Sequence, residues 1–199
     1  LDKNIQVLQY WTEGAMWWTS NKSMKDPSAF KGLKFRTMQS PMILAAYEAY
    51  GANPTPMSYT EVYSGLQLNM IEGQENPISA ILTSKFYEVQ KYMCLDGHTY
   101  GAESILINLD YYNNLPAEIQ TAIDEAAVYA GEQQRAAVSA NEAAQLQQIK
   151  DAGVIVCEDP DITSFQEATA ELYLRPEVQA IVSPELTEMV RSAAEAAAK

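Results

Sequence analysis

Strand signals and helix signals alternate at short intervals in residues 32–90, and this alternation constrains the fold more than any other feature. Residues 33–37 alternate in polarity as a strand does, which places Arg36 on the face away from the apolar side chains. Pro41 suits the first position of a helix, and Gly51 is a typical helix stop. Short strands and helices that follow one another in this way predict the α/β fold class.

The segment that follows Gly51 carries two more signals. Residues 53–57 contain two prolines, which predicts an extended link or an edge strand because proline cannot donate to a sheet ladder. Ser58-Tyr59-Thr60-Glu61 matches a capping box, so we expect a helix from there to about Met70. Its buried stripe would include Val62 and Leu66.

The rest of the chain continues the pattern. A short helical turn is predicted between Asp26 and Gly32, with the aspartate as its N-cap. Further strands are predicted at residues 5–10, 91–98, 104–109 and 154–157, and further helices at residues 116–150, 162–174 and 184–198. The apolar stripe of the longest helix is mostly alanine, so this helix buries little area per turn.

The composition excludes several classes of partner. The chain has 199 residues and a formal net charge of −13, so nucleic acids and acidic lipid surfaces would be repelled. No apolar run approaches the ~18 residues that a membrane-spanning helix needs. One histidine and two cysteines are too few for a Cys/His zinc cluster, and we expect neither a metal nor a cofactor.

The two cysteines, Cys94 and Cys157, leave two alternatives open. They could form one disulfide in an oxidising compartment. They could equally be two buried free thiols, since cysteine behaves as a small apolar residue.

Arg36 is the strongest candidate for a ligand-binding residue, although an arginine on a strand, taken by itself, is more often a surface residue. It lies at the predicted carboxyl end of a strand, and a helix begins soon after it. A guanidinium beside the N–H groups of a helix start is a favourable place for a carboxylate. The guanidinium fork also matches both carboxylate oxygens.

Five separated motifs lie within the same stretch. They read Gly-Leu-Lys-Phe-Arg at 32–36, Gly-Ala-Asn-Pro-Thr-Pro-Met at 51–57, Glu-Val-Tyr at 61–63, Glu-Gly-Gln-Glu-Asn-Pro at 72–77 and Lys-Phe-Tyr-Glu-Val-Gln at 85–90. In order and spacing they resemble the DctP-type solute-binding proteins of TRAP (tripartite ATP-independent periplasmic) transporters. The resemblance implies a periplasmic protein that captures a small carboxylate and delivers it to the membrane components of a TRAP transporter.

The resemblance also implies an architecture. The family has a two-lobed periplasmic-binding-protein fold, type II-like, with a long helix spanning both lobes, and the N-terminal part of its chain would be lacking here. On this analogy residues 8–97 form most of the second, ligand-binding lobe, and residues 98–115 return to the first lobe. Residues 116–152 would be the lobe-spanning helix, and residues 153–199 would be shared between the lobes.

Several site residues follow from the resemblance. The family's binding arginine falls on Arg36, and Asn76 matches the asparagine that donates to the same ligand carboxylate. From the residues alone, the segment between Gly73 and Pro77 is typical of a turn, in which asparagine is common. Tyr59 matches an aromatic residue that packs on the ligand, although a residue that staples a helix start is an equal alternative. Gln39 lies in the turn after the Arg36 strand, where its amide could face the cleft.

One segment departs from the family pattern. Many members carry an arginine in a Gly-x-Arg segment where this chain has Met16, followed by Trp17 and Trp18. Without that second cation a dicarboxylate or a heavily hydroxylated acid is less favoured, and a monocarboxylate with an apolar body is more favoured. Core packing of Trp17 and Trp18 is an equal alternative to a role at the site.

Two other functions compete with solute binding. A hydrolase could use Cys94 with His98, but their spacing on a strand does not give the geometry of a nucleophile and its base, and no orienting group is evident. It could instead use Glu72 with Glu75, but residues so close in sequence fit a turn better than two carboxyl groups on either side of a bond. The alanine-rich helices could instead form a helical interaction module. Because family members sometimes dimerise, a homodimer is compatible with solute binding. We expect a binding protein and not an enzyme.

Overall fold

The computed structural model describes residues 3–197, which divide into two compact units. Of the described residues, unit 1 comprises 3–17, 76–84 and 97–153. Unit 2 comprises 18–75, 85–96 and 154–197. Residues 8–17 and 76–84, predicted to belong to the second lobe, group with unit 1. That these units correspond to the family's lobes, with the boundaries given above, stays a prediction.

Seven strands and eight α-helices make up the described part of the chain. The strands are β1 (Ile5–Ser20), β2 (Lys34–Thr37), β3 (Asn53–Pro56), β4 (Gly73–Pro77), β5 (Tyr92–Cys94), β6 (Tyr100–Asn108) and β7 (Ile155–Cys157). The helices are α1 (Pro41–Ala49), α2 (Val62–Gln67), α3 (Ile78–Thr83), α4 (Leu109–Asn113), α5 (Ala117–Asp151), α6 (Ile162–Ala168), α7 (Pro176–Gln179) and α8 (Pro184–Ala197). Single 3-10 turns occur at Pro27–Phe30, Tyr59–Glu61, Phe86–Glu88 and Leu172–Leu174. This mixture confirms the α/β fold class.

Unit 2 contains a mixed sheet with the strand order β3-β2-β4-β1-β5-β7. Only the end of β1 and the start of β4 contribute to it. Strand β2 runs parallel to both β3 and β4, and β5 runs parallel to β7, whereas the β1–β5 pair is antiparallel. The proline-rich β3 is an edge strand, as its sequence predicted. Because β2, β3 and β4 are parallel, their carboxyl ends lie along the same edge of the sheet.

The core of unit 2 is an aromatic cluster. The indole of Trp18 is fully buried, and its ring centroid lies 4.8 Å from that of Phe30 and 4.7 Å from that of Phe165. Phe35 stacks on Tyr47 with a centroid distance of 4.5 Å. The alternative in which Trp18 is core packing is therefore correct.

Unit 1 is built from an antiparallel strand pair and a long helix. β1 pairs with β6 from Ile5 opposite Asn108 to Ala15 opposite Tyr100, with two register shifts. Helix α5 has 35 residues and reproduces the predicted long helix to within a residue at each end. Gly153 follows it with a φ of 92°, a left-handed conformation that suits glycine at a helix stop. All of α5 belongs to unit 1, and its span across the family's two lobes stays a prediction.

Some local predictions were wrong. The capping box does not form, because Ser58 makes no side-chain cap bond and its hydroxyl instead contacts the Thr60 hydroxyl at 3.1 Å. The helix that follows ends at Gln67, so Met70 is exposed and not part of a buried stripe. Residues 162–174 form α6 and a separate 3-10 turn and not one helix. The predicted end of the last helix, Ala198, lies outside the described residues.

Candidate ligand-binding site

Arg36 lies near the carboxyl end of β2, as predicted, and is almost fully buried, with 4% of its surface exposed. Its Nε donates a hydrogen bond of 3.1 Å to the carbonyl oxygen of Met57, just after the neighbouring strand β3. This bond fixes the side chain at the edge where the parallel strands end. A guanidinium is an unusual group to bury, and it requires negative partners nearby.

Glu75 is the main negatively charged partner of Arg36. It lies on β4, is 6% exposed, and attracts Arg36 electrostatically. Its Oε2 accepts a hydrogen bond of 2.6 Å from the hydroxyl of Tyr47 on α1, and that hydroxyl accepts one of 2.7 Å from Nε1 of Trp18. The chain of bonds anchors the carboxylate beside Arg36 to the aromatic core. It therefore restricts the orientation of both charged groups.

Burial shifts the ionisation of these groups in predictable directions. It lowers the pKa of Arg36, while attraction to Glu75 and to Tyr59 acts in the opposite direction. The guanidinium stays charged because its ordinary pKa is far above neutrality. Burial, together with the Glu75 carboxylate, raises the pKa of Tyr47 well above its usual range. Tyr47 is thus a neutral hydrogen-bond donor at every physiological pH.

Two of the other predicted site residues share unit 2 with Arg36. Tyr59 is 44% exposed, interacts electrostatically with Arg36, and packs edge-on against Phe86 with a centroid distance of 6.1 Å. Gln39 is exposed in the bend between β2 and α1. The structure thus brings Tyr59 near the arginine and leaves Gln39 exposed.

The remaining three predicted residues belong to unit 1. Asn76 is half-buried on β4 and directly follows Glu75 in the chain. Met16 is buried, with its backbone N–H bonded to the carbonyl of Thr99 at 2.8 Å. Trp17 is half-buried against Gly97. The roles of all six predicted residues in ligand binding stay predictions.

Sequence reasoning missed the roles of Glu75 and Tyr47 beside Arg36. It interpreted the segment at residues 72–77 as a turn, whereas β4 is a strand whose residues are largely buried. Gln74, which is fully buried, donates 2.9 Å to the Thr19 hydroxyl, and this explains a second polar side chain inside the sheet. A usable signal was the run of polar residues between Gly73 and Pro77, because polar residues on a buried strand need partners.

The side chains considered for catalysis are buried or form other hydrogen bonds in the folded protein. Cys94 is buried, and burial raises the pKa of its thiol, which is the reverse of what a nucleophile needs. Glu72 accepts a 3.0 Å bond from the backbone N–H of Lys34. Glu75 is engaged with Tyr47. Among residues 3–197 no group of three or more histidine, cysteine and acidic side chains could hold a metal ion.

The chain matches a described protein family over most of its length. The family is DctP, the bacterial extracellular solute-binding proteins of family 7, and the match covers residues 1–179. The chain belongs to this family. Its membership confirms the resemblance and, with it, the relation to a two-lobed periplasmic binding fold.

Individual relatives are also named as periplasmic binding proteins. The chain is 40% identical over 167 residues to the 2,3-diketo-L-gulonate-binding periplasmic protein of Escherichia coli K12, covering 83% of this chain and 51% of the relative. The DctP-family chain thus spans about half the length of the curated relatives it matches.

Solved structures agree in fold. The periplasmic ectoine-binding protein of Halomonas elongata superposes with a TM-score of 0.88 at 29% identity, covering 96% of this chain and 63% of that one. A TRAP periplasmic solute-binding protein of Chromohalobacter salexigens with bound D-glucuronate gives a TM-score of 0.88 at 32% identity, with the same coverages. These proteins are named for binding and transport.

Proposed function

We propose that the protein is an extracytoplasmic solute-binding protein that captures a small organic acid and delivers it to the membrane components of a TRAP transporter. The observation that carries this proposal is the buried Arg36, held at the common carboxyl edge of β2, β3 and β4. Family membership supplies the context, because the relatives are named as periplasmic binding proteins. We accordingly propose a periplasmic location.

The surroundings of Arg36 suit a carboxylate ligand. Only the Nε of the guanidinium is used by the Met57 carbonyl, and the fork formed by its two terminal nitrogens is the part that pairs with both carboxylate oxygens. Glu75 offsets the charge of the buried arginine before a ligand arrives. Orienting the cation in advance reduces the entropy lost on binding. Asn76, next to Glu75 in the chain, is proposed as the second donor to the same carboxylate.

The ligand class proposed is a monocarboxylate. Two relatives are named for, or hold, diketogulonate and glucuronate, which are hydroxylated acids with one carboxylate each, and another is named for binding C4-dicarboxylates. Met16 stands where many family members have an arginine, so a second acidic group on the ligand would bring an unpaired charge into the site. Trp17 adds apolar surface to the same segment. We therefore favour a monocarboxylate with an apolar body over the hydroxylated acids of those relatives.

The partners follow from this role. They are a small carboxylate and the transporter's membrane subunits, with neither nucleic acid nor a catalytic substrate. None of the described helices combines the length and the apolar character needed to cross a bilayer. Homodimerisation is compatible with the proposal and is not required by it.

Calorimetric titration with D-glucuronate and a panel of other monocarboxylates tests the proposal. Arg36→Met should weaken binding by at least about 30-fold, because a buried charge pair broken from one side is expensive. Arg36→Lys should restore only part, since a point charge cannot make the two-pronged contact. Arg175→Met is the matched control, because Arg175 forms only a 3.7 Å surface ion pair with Glu48. Unchanged affinity in a folded Arg36→Met protein would refute the role of the arginine.

Met16→Arg tests the ligand class. The added cation should improve the affinity for succinate relative to a matched monocarboxylate such as butyrate. A finding that the unmodified protein already prefers succinate would contradict the proposed class while leaving the role of Arg36 intact.

A further inference from the structure

The two cysteines lie opposite each other on neighbouring parallel strands. The register of β5 and β7 pairs Cys94 with Cys157, and the ladder continues through a 2.9 Å bond from the Leu95 N–H to the Cys157 carbonyl. Paired residues of adjacent strands point to the same face, and their backbones lie about 4.8 Å apart. That spacing falls inside the ~4.4–6.8 Å range over which Cα atoms are bridged by disulfides.

The two thiols differ in access. Cys94 is buried and belongs to the aromatic cluster that includes Trp18 and Phe165, whereas Cys157 is partly exposed and packs against that cluster. β7 is a three-residue edge strand of the sheet, so it can adjust its distance to β5 with little disturbance. An oxidant in solution can therefore reach Cys157 first, and Cys94 only through it.

We propose that Cys94 and Cys157, both free thiols in this structure, form an intramolecular disulfide when the protein meets a disulfide oxidant. The Cys157 thiolate attacks one sulfur of the oxidant and releases its other sulfur as a thiol. The Cys94 sulfur then attacks Cys157 in the mixed disulfide, and its proton passes to the departing sulfur of the oxidant, which leaves as the second thiol. Two protein thiols are oxidised to one disulfide, and the oxidant's disulfide is reduced to two thiols.

The local charges are consistent with this order. Burial raises the pKa of Cys94, and the nearby Asp96 adds to the effect, so Cys94 is the less reactive of the two towards an external oxidant. Once Cys157 carries a mixed disulfide, Cys94 has its target across one strand pair, and proximity compensates for the small thiolate fraction. The Lys25–Asp159 ion pair of 2.6 Å flanks Cys157.

The bond would have a defined structural effect. Both cysteines belong to unit 2, and the segment Gly97–Gly153, which belongs to unit 1, lies between them in the sequence. A disulfide would close this segment into a loop and restrict the conformations of the unfolded chain, which stabilises the folded state. The proposal is independent of ligand binding, so its failure would leave the proposed function untouched.

Intact mass, thiol titration and thermal unfolding of the full chain test the proposal after incubation with oxidised glutathione or with dithiothreitol. We expect oxidation to remove both free thiols without a retained glutathione adduct and to raise the melting midpoint by roughly 5–15 °C. Cys157→Ser should abolish this redox-dependent shift and leave the reduced midpoint close to that of the parent. Cys94→Ala should trap a stable glutathione adduct on Cys157.

Three results would overturn the proposal. The first is an adduct that persists on Cys157 in the unmodified protein. The second is a disulfide-linked dimer in place of an intramolecular bond. The third is an oxidised protein that lacks both thiols but melts no higher than its reduced form.

Discussion

Unit 2 and unit 1 use their apolar residues in different ways. Among the largest fully buried side chains of the described residues, all but Ile81 and Ile149 belong to unit 2. In unit 1 the long helix α5 buries only Gly131 and Ile149, and apolar side chains such as Tyr129, 65% exposed, face solvent. Unit 2 thus has a dense core of its own, whereas unit 1 consists mainly of regular hydrogen-bonded elements.

The difference reflects how the backbone N–H and C=O groups of each unit form their hydrogen bonds. The 35 residues of α5 bond internally, so this helix needs little tertiary packing to keep its backbone groups paired. The strands and helices of unit 2 are short, and short elements are marginal without a packed face. We therefore expect substitutions inside unit 2 to reduce stability more than comparable substitutions in unit 1.

Replacement of adjacent tryptophans gives the largest expected contrast. Trp18→Ala should lower the free energy of unfolding by about 3–5 kcal/mol, because it empties the aromatic core and removes the donor to Tyr47. Trp17→Ala, at a half-buried position in unit 1, should cost less than about 2 kcal/mol. Urea unfolding followed by far-ultraviolet circular dichroism measures both. Equal losses would show that the two units do not differ in packing as described.

Adding one methyl group to a glycine in each unit gives a smaller contrast. In Gly73→Ala the new Cβ would lie 2.8 Å from the Phe35 ring and 2.9 Å from the carbonyl oxygen of Thr19, so we expect a loss of about 1–3 kcal/mol. In Gly131→Ala the new Cβ would lie 2.7 Å from Cγ of Gln9 and 3.1 Å from a terminal nitrogen of Arg135, so these two flexible side chains must move. Better helix propensity, worth about 1 kcal/mol, should offset that adjustment.

The same unfolding measurement decides this second comparison. A Gly131→Ala protein that is destabilised as much as Gly73→Ala would mean that unit 1 is packed as tightly around α5 as unit 2 is around β2.

The smallest effect concerns Glu13 in unit 1. Burial raises the pKa of this carboxyl, and the neighbouring Glu103 raises it further. The folded state therefore holds the proton more tightly than the unfolded state, so this contribution to stability is present at low pH. It is lost as the pH rises through the raised pKa.

Glu13→Gln should consequently stabilise the protein at pH 7 by less than about 1 kcal/mol, a small gain because the site is partly solvated. The gain should vanish near pH 4, where the carboxyl of the parent is protonated. Melting midpoints at the two pH values measure it. Glu125→Gln, at an exposed position of α5, changes the net charge equally and should show no such dependence. A gain that is the same at both pH values would exclude titration of Glu13 as its cause.

The local features of the fold were largely predictable. Asp26 caps its helical turn by accepting a 2.9 Å bond from the Ser28 N–H, and Gly51, with a φ of 84°, follows the end of α1. The strand that carries Arg36 and the long helix α5 were also predicted. These features depend on residues that are close in sequence, where proline, glycine and short polar side chains act directly on the backbone.

The extent of the strands was less predictable. β1 was expected to end at Tyr10 but continues to Ser20, because it pairs first with β6 and then with β5. β4 was interpreted as a turn, yet its backbone lies in the sheet beside β2. Pairing with a distant strand overrides local preference in both cases.

The residue pattern alone was sufficient for the fold class, for the ends of α1 and α5, and for the position of Arg36 near the carboxyl end of its strand, whereas its role as the ligand anchor stays a prediction. The groups that hold Arg36 in place required the folded structure, because Trp18, Tyr47 and Glu75 are separated by many residues in the chain and meet only in the core. The alignment of Cys94 with Cys157 likewise depends on the register of β5 and β7. Neither arrangement leaves a periodic signal, since contacts between distant segments are selected by packing and hydrogen-bond satisfaction and not by the local backbone.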